Sequence, residues 1–161
     1  MREYVLIPDT ACDLTRAQRE SLGIPEYLHG IIYDQSGEET LIDLDEPQEA
    51  IKAFFAKMGS SKVLQKTSTP TVGEVHRVFE KYAAAGVDVI SLSLSSGLSA
   101  TYAVTVQVAR EVMEKYPGSK IYCVDSLCYS GGIAALLLRA SALQRAGASA
   151  EQVVADLEQS R

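Results

Sequence analysis

The chain has 161 residues, 47% of them hydrophobic and 7% aromatic, with no Trp; a chain of this length suits one domain that buries ~70% of its unfolded surface around Val, Ile, Leu and Ala. Its 15 basic and 21 acidic residues leave a net charge of −6, and no Lys/Arg cluster could neutralise a row of phosphates, which disfavours nucleic-acid binding. The apolar run at residues 4–7 is too short for a secretory signal, and the run at 133–138 is far short of a membrane span. A soluble, cytoplasmic protein without stable membrane insertion is expected.

In chain order, residues 4–7 form an apolar run ending at Pro8 and Asp9, as a buried strand does. Residues 15–22 follow as a helix, with Thr15 and Gln18 at capping-box spacing and Gly23 as its stop. Residues 28–33 and 39–43 are weaker strands flanking a turn at 34–37. Ala50, Ile51, Phe54, Phe55 and Met58 recur at helical spacing, and Gly59 is expected to close that helix. Asp34, Glu38, Glu39, Asp43, Asp45, Glu46 and Glu49 make the neighbouring stretch acidic, which fits a solvated face.

In the second half, Thr71 and Glu74 are spaced as another capping box, opening a helix through Val75, Val78, Phe79 and Tyr82 to Gly86. Residues 87–94 form an apolar strand, then a turn at Ser95, Ser96 and Gly97 leads to a helix over 99–116, ended by Pro117 and Gly118. Residues 121–124 are a further strand. A turn at Gly131 and Gly132 leads to a helix over 133–146, and Ser149 with Gln152 caps the last one.

Strands alternating with helices over short connections predict an α/β fold, a mostly parallel sheet with helices on both faces, with 24–45 able to hold an antiparallel edge. All of 1–161 is expected to form a single α/β domain. The final helix carries an apolar stripe of Val153, Val154 and Leu157 with little left to cover, which suggests a sequence cut short at Arg161. Cys12, Cys123 and Cys128 cannot all pair and lack metal-ligand spacing, so reduced, partly buried thiols and no metal site are expected.

Ligands of open α/β sheets bind at the carboxyl ends of the strands, where helix N-termini offer free N–H groups. Three hydroxyl-bearing segments fall there, at residues 8–13, 95–101 and 125–132; a fourth, 66–71, precedes a capped helix. Hydroxyls and helix-start amides can hold an anion without a formal positive charge, and a monocarboxylate suits them. Neither a dinucleotide fingerprint nor a P-loop is present. Each segment could equally be a cap or turn.

Two other readings stay open. Ser96 or Ser99 with His76 could serve a small-molecule hydrolase or transferase, although Thr101 stands where the nucleophile elbow needs Gly. Alternatively the hydroxyl loops are caps alone and the chain is an interaction domain. Asp9, Asp13 and Asp125 are read as acceptors that organise loops rather than as acid and base.

The same four segments make the chain resemble the DegV family, which includes the FakB-type fatty-acid-binding subunits. Residues 8–14 stand where the family reads like T-D-S-T-A-D-L, and 67–71 match T-S-Q-P-S. Residues 95–102 match S-S-G-L-S-G-T-Y, and 125–132 match D-S-x-x-x-S-x-G. The resemblance spans the whole chain but only the first domain of a family member. It implies a protein that binds a long-chain fatty acid in a tunnel between or beside two domains and presents the carboxylate to a separate ATP-dependent fatty acid kinase. No cofactor and no catalytic residue is expected. The implied ligand-binding residues are Asp9, Thr10, Thr67, Ser68, Ser95, Ser96, Gly97, Asp125 and Ser126, with cationic groups supplied by the second domain. Pro8, Thr69 and Ala100 depart from the pattern, and Thr69 could alter head-group contacts. A chain with its tunnel wall uncovered is expected to form a homodimer.

Overall fold

The structure is a computed structural model that describes residues 2–33, 37–60 and 65–161; the turn expected at 34–37 lies mostly outside them. At its centre three strands, β1 (Tyr4–Pro8), β5 (Asp88–Ser93) and β6 (Ile121–Asp125), run parallel in the order β1-β5-β6. Register pairs Ile7 with Ser91 and Ser91 with Cys123. The strands are largely buried on both faces, as in a sheet covered on both sides. Tyr4, Leu6, Ile90, Leu92 and Val124 pack on one side with α1 (Arg16–Leu22), α5 (Gly131–Arg145) and α6 (Ala150–Ser160). Ile7, Val89 and Ile121 pack on the other with α3 (Val72–Ala84) and α4 (Thr101–Lys115). The parallel α/β core is therefore present.

A second sheet is antiparallel, in the order β3 (Glu39–Leu41), β2 (Ile31–Tyr33), β4 (Lys66–Ser68). The sequence suggested an antiparallel edge at 24–45, but not that residues 66–68 would form its third strand. All three residues of β4 are exposed, so no apolar alternation marks them. Leu28 ties this layer to the core: its N–H donates to the Pro8 carbonyl at 2.9 Å, and its carbonyl accepts from Thr10 N at 3.0 Å.

Helix ends follow local chemistry. Thr15 with Gln18 and Ser149 with Gln152 both form reciprocal capping boxes, and Gly23 ends α1 at φ 71°, where a side chain would be strained. At α3 only half the expected box forms: Thr71 Oγ1 accepts from Glu74 N at 3.1 Å, while the Glu74 carboxylate turns elsewhere. Gly131 and Gly132 are the first residues of α5 rather than a turn before it, and α2 (Gln48–Ser60) continues through Gly59. The last helix docks: Val153 and Leu157 are fully buried against α5 and the sheet. No residue of α2 is buried, so its apolar stripe is unburied in this structure.

Candidate functional site

The carboxyl end of β1 runs into a single helical turn, Thr10–Cys12, capped by Asp9. Asp9 is nearly inaccessible, and its two carboxylate oxygens accept from Ala11 N at 2.9 Å and Leu94 N at 2.7 Å. It thereby joins the loops after β1 and β5. Burial pushes its carboxyl above the ordinary value against the pull of those two N–H groups. Next to it, the Thr10 hydroxyl accepts from Gly30 N at 3.1 Å. A Cβ on Gly30 would come within 3.0 Å of Ile42 Cδ1 and 3.1 Å of Thr10 Oγ1, so a side chain here would require those neighbours to give way slightly.

These loops and β4 enclose an open cleft of about 510 Å³. Asp9, Thr10, Thr67 and Ser68 line it, as do Thr69, Leu98, Ser99 and Thr101. Among its lining residues the charged side chains are Asp9 and Asp13, with no Lys, Arg or His. The wall at Ile42 is anchored from behind. The buried Arg19 bonds both oxygens of Asp45 at 2.7 and 2.8 Å, and its guanidinium lies 4.3 Å from the centre of the Tyr27 ring. Tyr27 donates to Asp43 at 2.9 Å, and burial pushes its hydroxyl up to about 12.

Ser95, Ser96, Gly97, Asp125 and Ser126 do not line this cleft. They form an adjacent network that pairs its own main-chain donors. Gly97 N donates to Ser95 Oγ at 3.2 Å, Ser96 N to Asp125 Oδ1 at 3.1 Å, and Ser95 N to the Cys128 carbonyl at 3.0 Å. Ser126 Oγ accepts from Cys128 N and donates to the Cys128 carbonyl, both at 3.1 Å. The main-chain N–H groups of Ser96 and Gly97 are thus already occupied.

The hydroxyls that this loop gives to the cleft are those of Ser99 and Thr101, which were not among the expected ligand-binding residues. Ser99 Oγ accepts from Thr101 N at 3.2 Å and lies 2.9 Å from Thr101 Oγ1. Because Ser99 and Thr101 share one hydrogen bond, one of the two hydroxyl hydrogens stays free to meet a ligand. Gly30 was not singled out, whereas Thr69 was read as a departure able to alter head-group contacts; both line the cleft.

The serine–histidine arrangement does not form. His76 Nε2 lies 2.7 Å from Glu111 Oε2 and its Nδ1 3.9 Å from Glu80, between the exposed faces of α3 and α4. Glu111 stands ten residues beyond Thr101 in α4, roughly 15 Å along the helix axis. His76 therefore has carboxylate partners of its own and is held away from Ser99. His29 bonds Glu74 instead. Among the described residues no group of three His, Cys, Asp or Glu could hold a metal ion, and no helix is long and apolar enough to cross a membrane.

A family model described as an uncharacterised protein of the DegV family matches residues 4–161. A DegV domain-containing protein of Clostridium perfringens is 28% identical over 161 residues, covering 100% of this chain and 54% of the relative. A fatty acid-binding protein of Thermotoga maritima is 29% identical over 160 residues, 99% of this chain and 52% of its own. Among solved structures, a DegV family protein from Thermus thermophilus, described for its fatty acid binding, superposes with a TM-score of 0.81 at 28% identity, over 99% of this chain and 53% of that one. The chain spans about half the length of the relatives it matches.

Proposed function

This chain belongs to the DegV family, and from that premise we propose that it is the first domain of a carrier that binds a long-chain fatty acid and presents its carboxylate to a separate ATP-dependent kinase. The observation that carries this reading is the cleft at the strand ends, where Thr10, Thr67, Ser68, Thr69, Ser99 and Thr101 bring hydroxyls together beside the apolar Leu98 and Ile42. Similarity to proteins described as fatty acid-binding supports it.

Hydroxyl hydrogens of Thr67 and Ser99 would donate to the two carboxylate oxygens, each such bond to a charged group being worth about 1.5–3 kcal/mol. The acyl chain would leave past Leu98 into a tunnel completed by a second domain, which would also bring the positive charge absent from this cleft. Asp9 is not a competitor for those donors, because two main-chain N–H groups already satisfy it. Asp125 and the Ser95–Ser96 loop act behind the site by fixing where α4 begins. The cleft opens to solvent, so a kinase could deliver a phosphoryl group to the exposed carboxylate oxygen.

Solvent extraction and mass spectrometry of the natural full-length polypeptide, beside the 161-residue chain, test the reading. A stoichiometric fatty acid on the former, reduced on the latter, is expected. No acyl species on the full-length polypeptide after incubation with fatty acids would overturn it. Transfer of labelled γ-phosphate to the bound acid by the partner kinase would test the second step.

A further inference from the structure

Glu74 occupies the helix position from which its carboxylate would ordinarily reach back to the N–H of Thr71. Its Oε1 accepts instead from two donors of one residue, His29 N at 3.1 Å and His29 Nδ1 at 2.6 Å. The pair is largely enclosed, with side-chain exposures of 28% for His29 and 12% for Glu74. The Tyr27 ring packs against the imidazole with centroids 4.6 Å apart. The helix keeps its cap through Thr71 Oγ1. The clamp on His29 is therefore an addition to α3, not something the helix needs in order to start.

The residue after His29 is Gly30, whose N–H donates to Thr10 Oγ1 at 3.1 Å. A hydroxyl oxygen that accepts on one side turns its own hydrogen to another, and Thr10 lines the cleft. One line of contacts, Glu74–His29–Gly30–Thr10, thus runs from the first turn of α3 to the floor of the cleft.

We propose that Glu74 and His29 are positioning residues for the head-group site: by clamping the main chain at His29 they set the Gly30 N–H against Thr10 and aim the Thr10 hydroxyl hydrogen at the bound head group. This rests on the carrier reading and adds two residues to it that never touch the ligand. Neither belongs to the hydroxyl-bearing segments.

The test measures affinity for a long-chain fatty acid and for the alcohol of the same length. It uses the natural full-length polypeptide as wild type, Glu74→Ala, Thr10→Val and the double variant. Glu74→Ala is expected to weaken acid binding about tenfold, the loss of one well-aimed bond to a charged group, while affinity for the alcohol holds. In the Thr10→Val background Glu74→Ala should cost nothing more, because residues of one network are not additive. Glu74→Gln, which keeps an acceptor at the same reach, should restore most of the affinity. Additive losses, or equal losses for acid and alcohol, would overturn the inference while leaving the carrier reading intact. A wild-type protein that takes up neither ligand would overturn both. If Glu74→Ala does not fold, His29→Leu takes its place in the same cycle.

Discussion

The Asp125 carboxylate accepts from Ser96 N across the sheet end, at 3.1 Å, and the same oxygen accepts from Leu127 N at 3.1 Å. An anion-accepting pocket built from loop amides is filled here by the chain's own carboxylate. That one contact decides how the serine-rich loop is used: its first half locks β5 to β6, and only its second half faces the cleft.

Burial alone would raise the Asp125 carboxyl, but the Ser96 and Leu127 hydrogen bonds, helped by Arg161, hold it below the usual range. A carboxyl lowered in the folded state adds stability that is present above its unfolded value, about 3.9, and lost as pH falls through the folded value. Asp125→Ala should therefore destabilise by about 2–3 kcal/mol at pH 7, having stranded charge-assisted donors. The gap from wild type should shrink toward pH 3 in urea melts. A gap independent of pH would remove the charge from this account.

Ser130 and Gly132, two residues apart, respond oppositely to the presence of a Cβ. Ser130 sits at φ 48°, ψ −120°, a region open to glycine and strained for serine. Ser130→Gly should raise stability by about 1 kcal/mol or more, outweighing the usual entropic cost of glycine. At Gly132 a Cβ would stand 2.7 Å from Cys128 Cβ and 3.0 Å from its Sγ. Gly132→Ala should lower the melting temperature even though alanine ordinarily favours a helix by about 1 kcal/mol over glycine. Thermal unfolding of the two variants checks both signs.

What could be read from the residues was what local chemistry writes. The boxes at Thr15–Gln18 and Ser149–Gln152 need only a cap and a glutamine three residues on, and the three parallel strands are short apolar runs bounded by turns. What escaped depends on distant partners. Lys66–Ser68 is a strand only because β2 lies beside it. Glu74 leaves its box for a residue 45 positions earlier. The run from Ser95 to Thr101 spells hydroxyl after hydroxyl, and its residue types do not say which face each takes once Asp125 has drawn in Ser96. Ser99 and Thr101 were therefore legible as a segment but not as the individual residues that face the cleft.

Helical spacing identified α2 correctly and burial did not follow from it. Phe55 is 56% exposed; its ring meets that of its neighbour Phe54, edge to face at 5.4 Å. Phe55→Ser in the 161-residue chain should change the unfolding free energy by no more than about 0.5 kcal/mol, as for an ordinary surface site. A loss of about 3 kcal/mol, the scale of an emptied core position, would mean that α2 packs on the body of this chain.

Ser99 separates a structural role from a ligand role in a single substitution. Its Oγ accepts from Thr101 N at the start of α4, and an aspartate is as good an acceptor at a helix start and adds a favourable charge there. Ser99→Asp should therefore leave the melting temperature near that of wild type. It also removes a hydroxyl hydrogen from the cleft and sets a negative charge where a carboxylate would sit. Fatty acid affinity in the natural full-length polypeptide should fall by at least about tenfold, the loss of a bond to a charged group. Ser99→Ala should do the reverse in part, costing about 1 kcal/mol of stability as the bond from Thr101 N is lost and weakening binding less. Equal fatty acid affinity in Ser99→Asp and wild type, with both folded, would place the carboxylate away from α4 and leave the cleft without its proposed ligand.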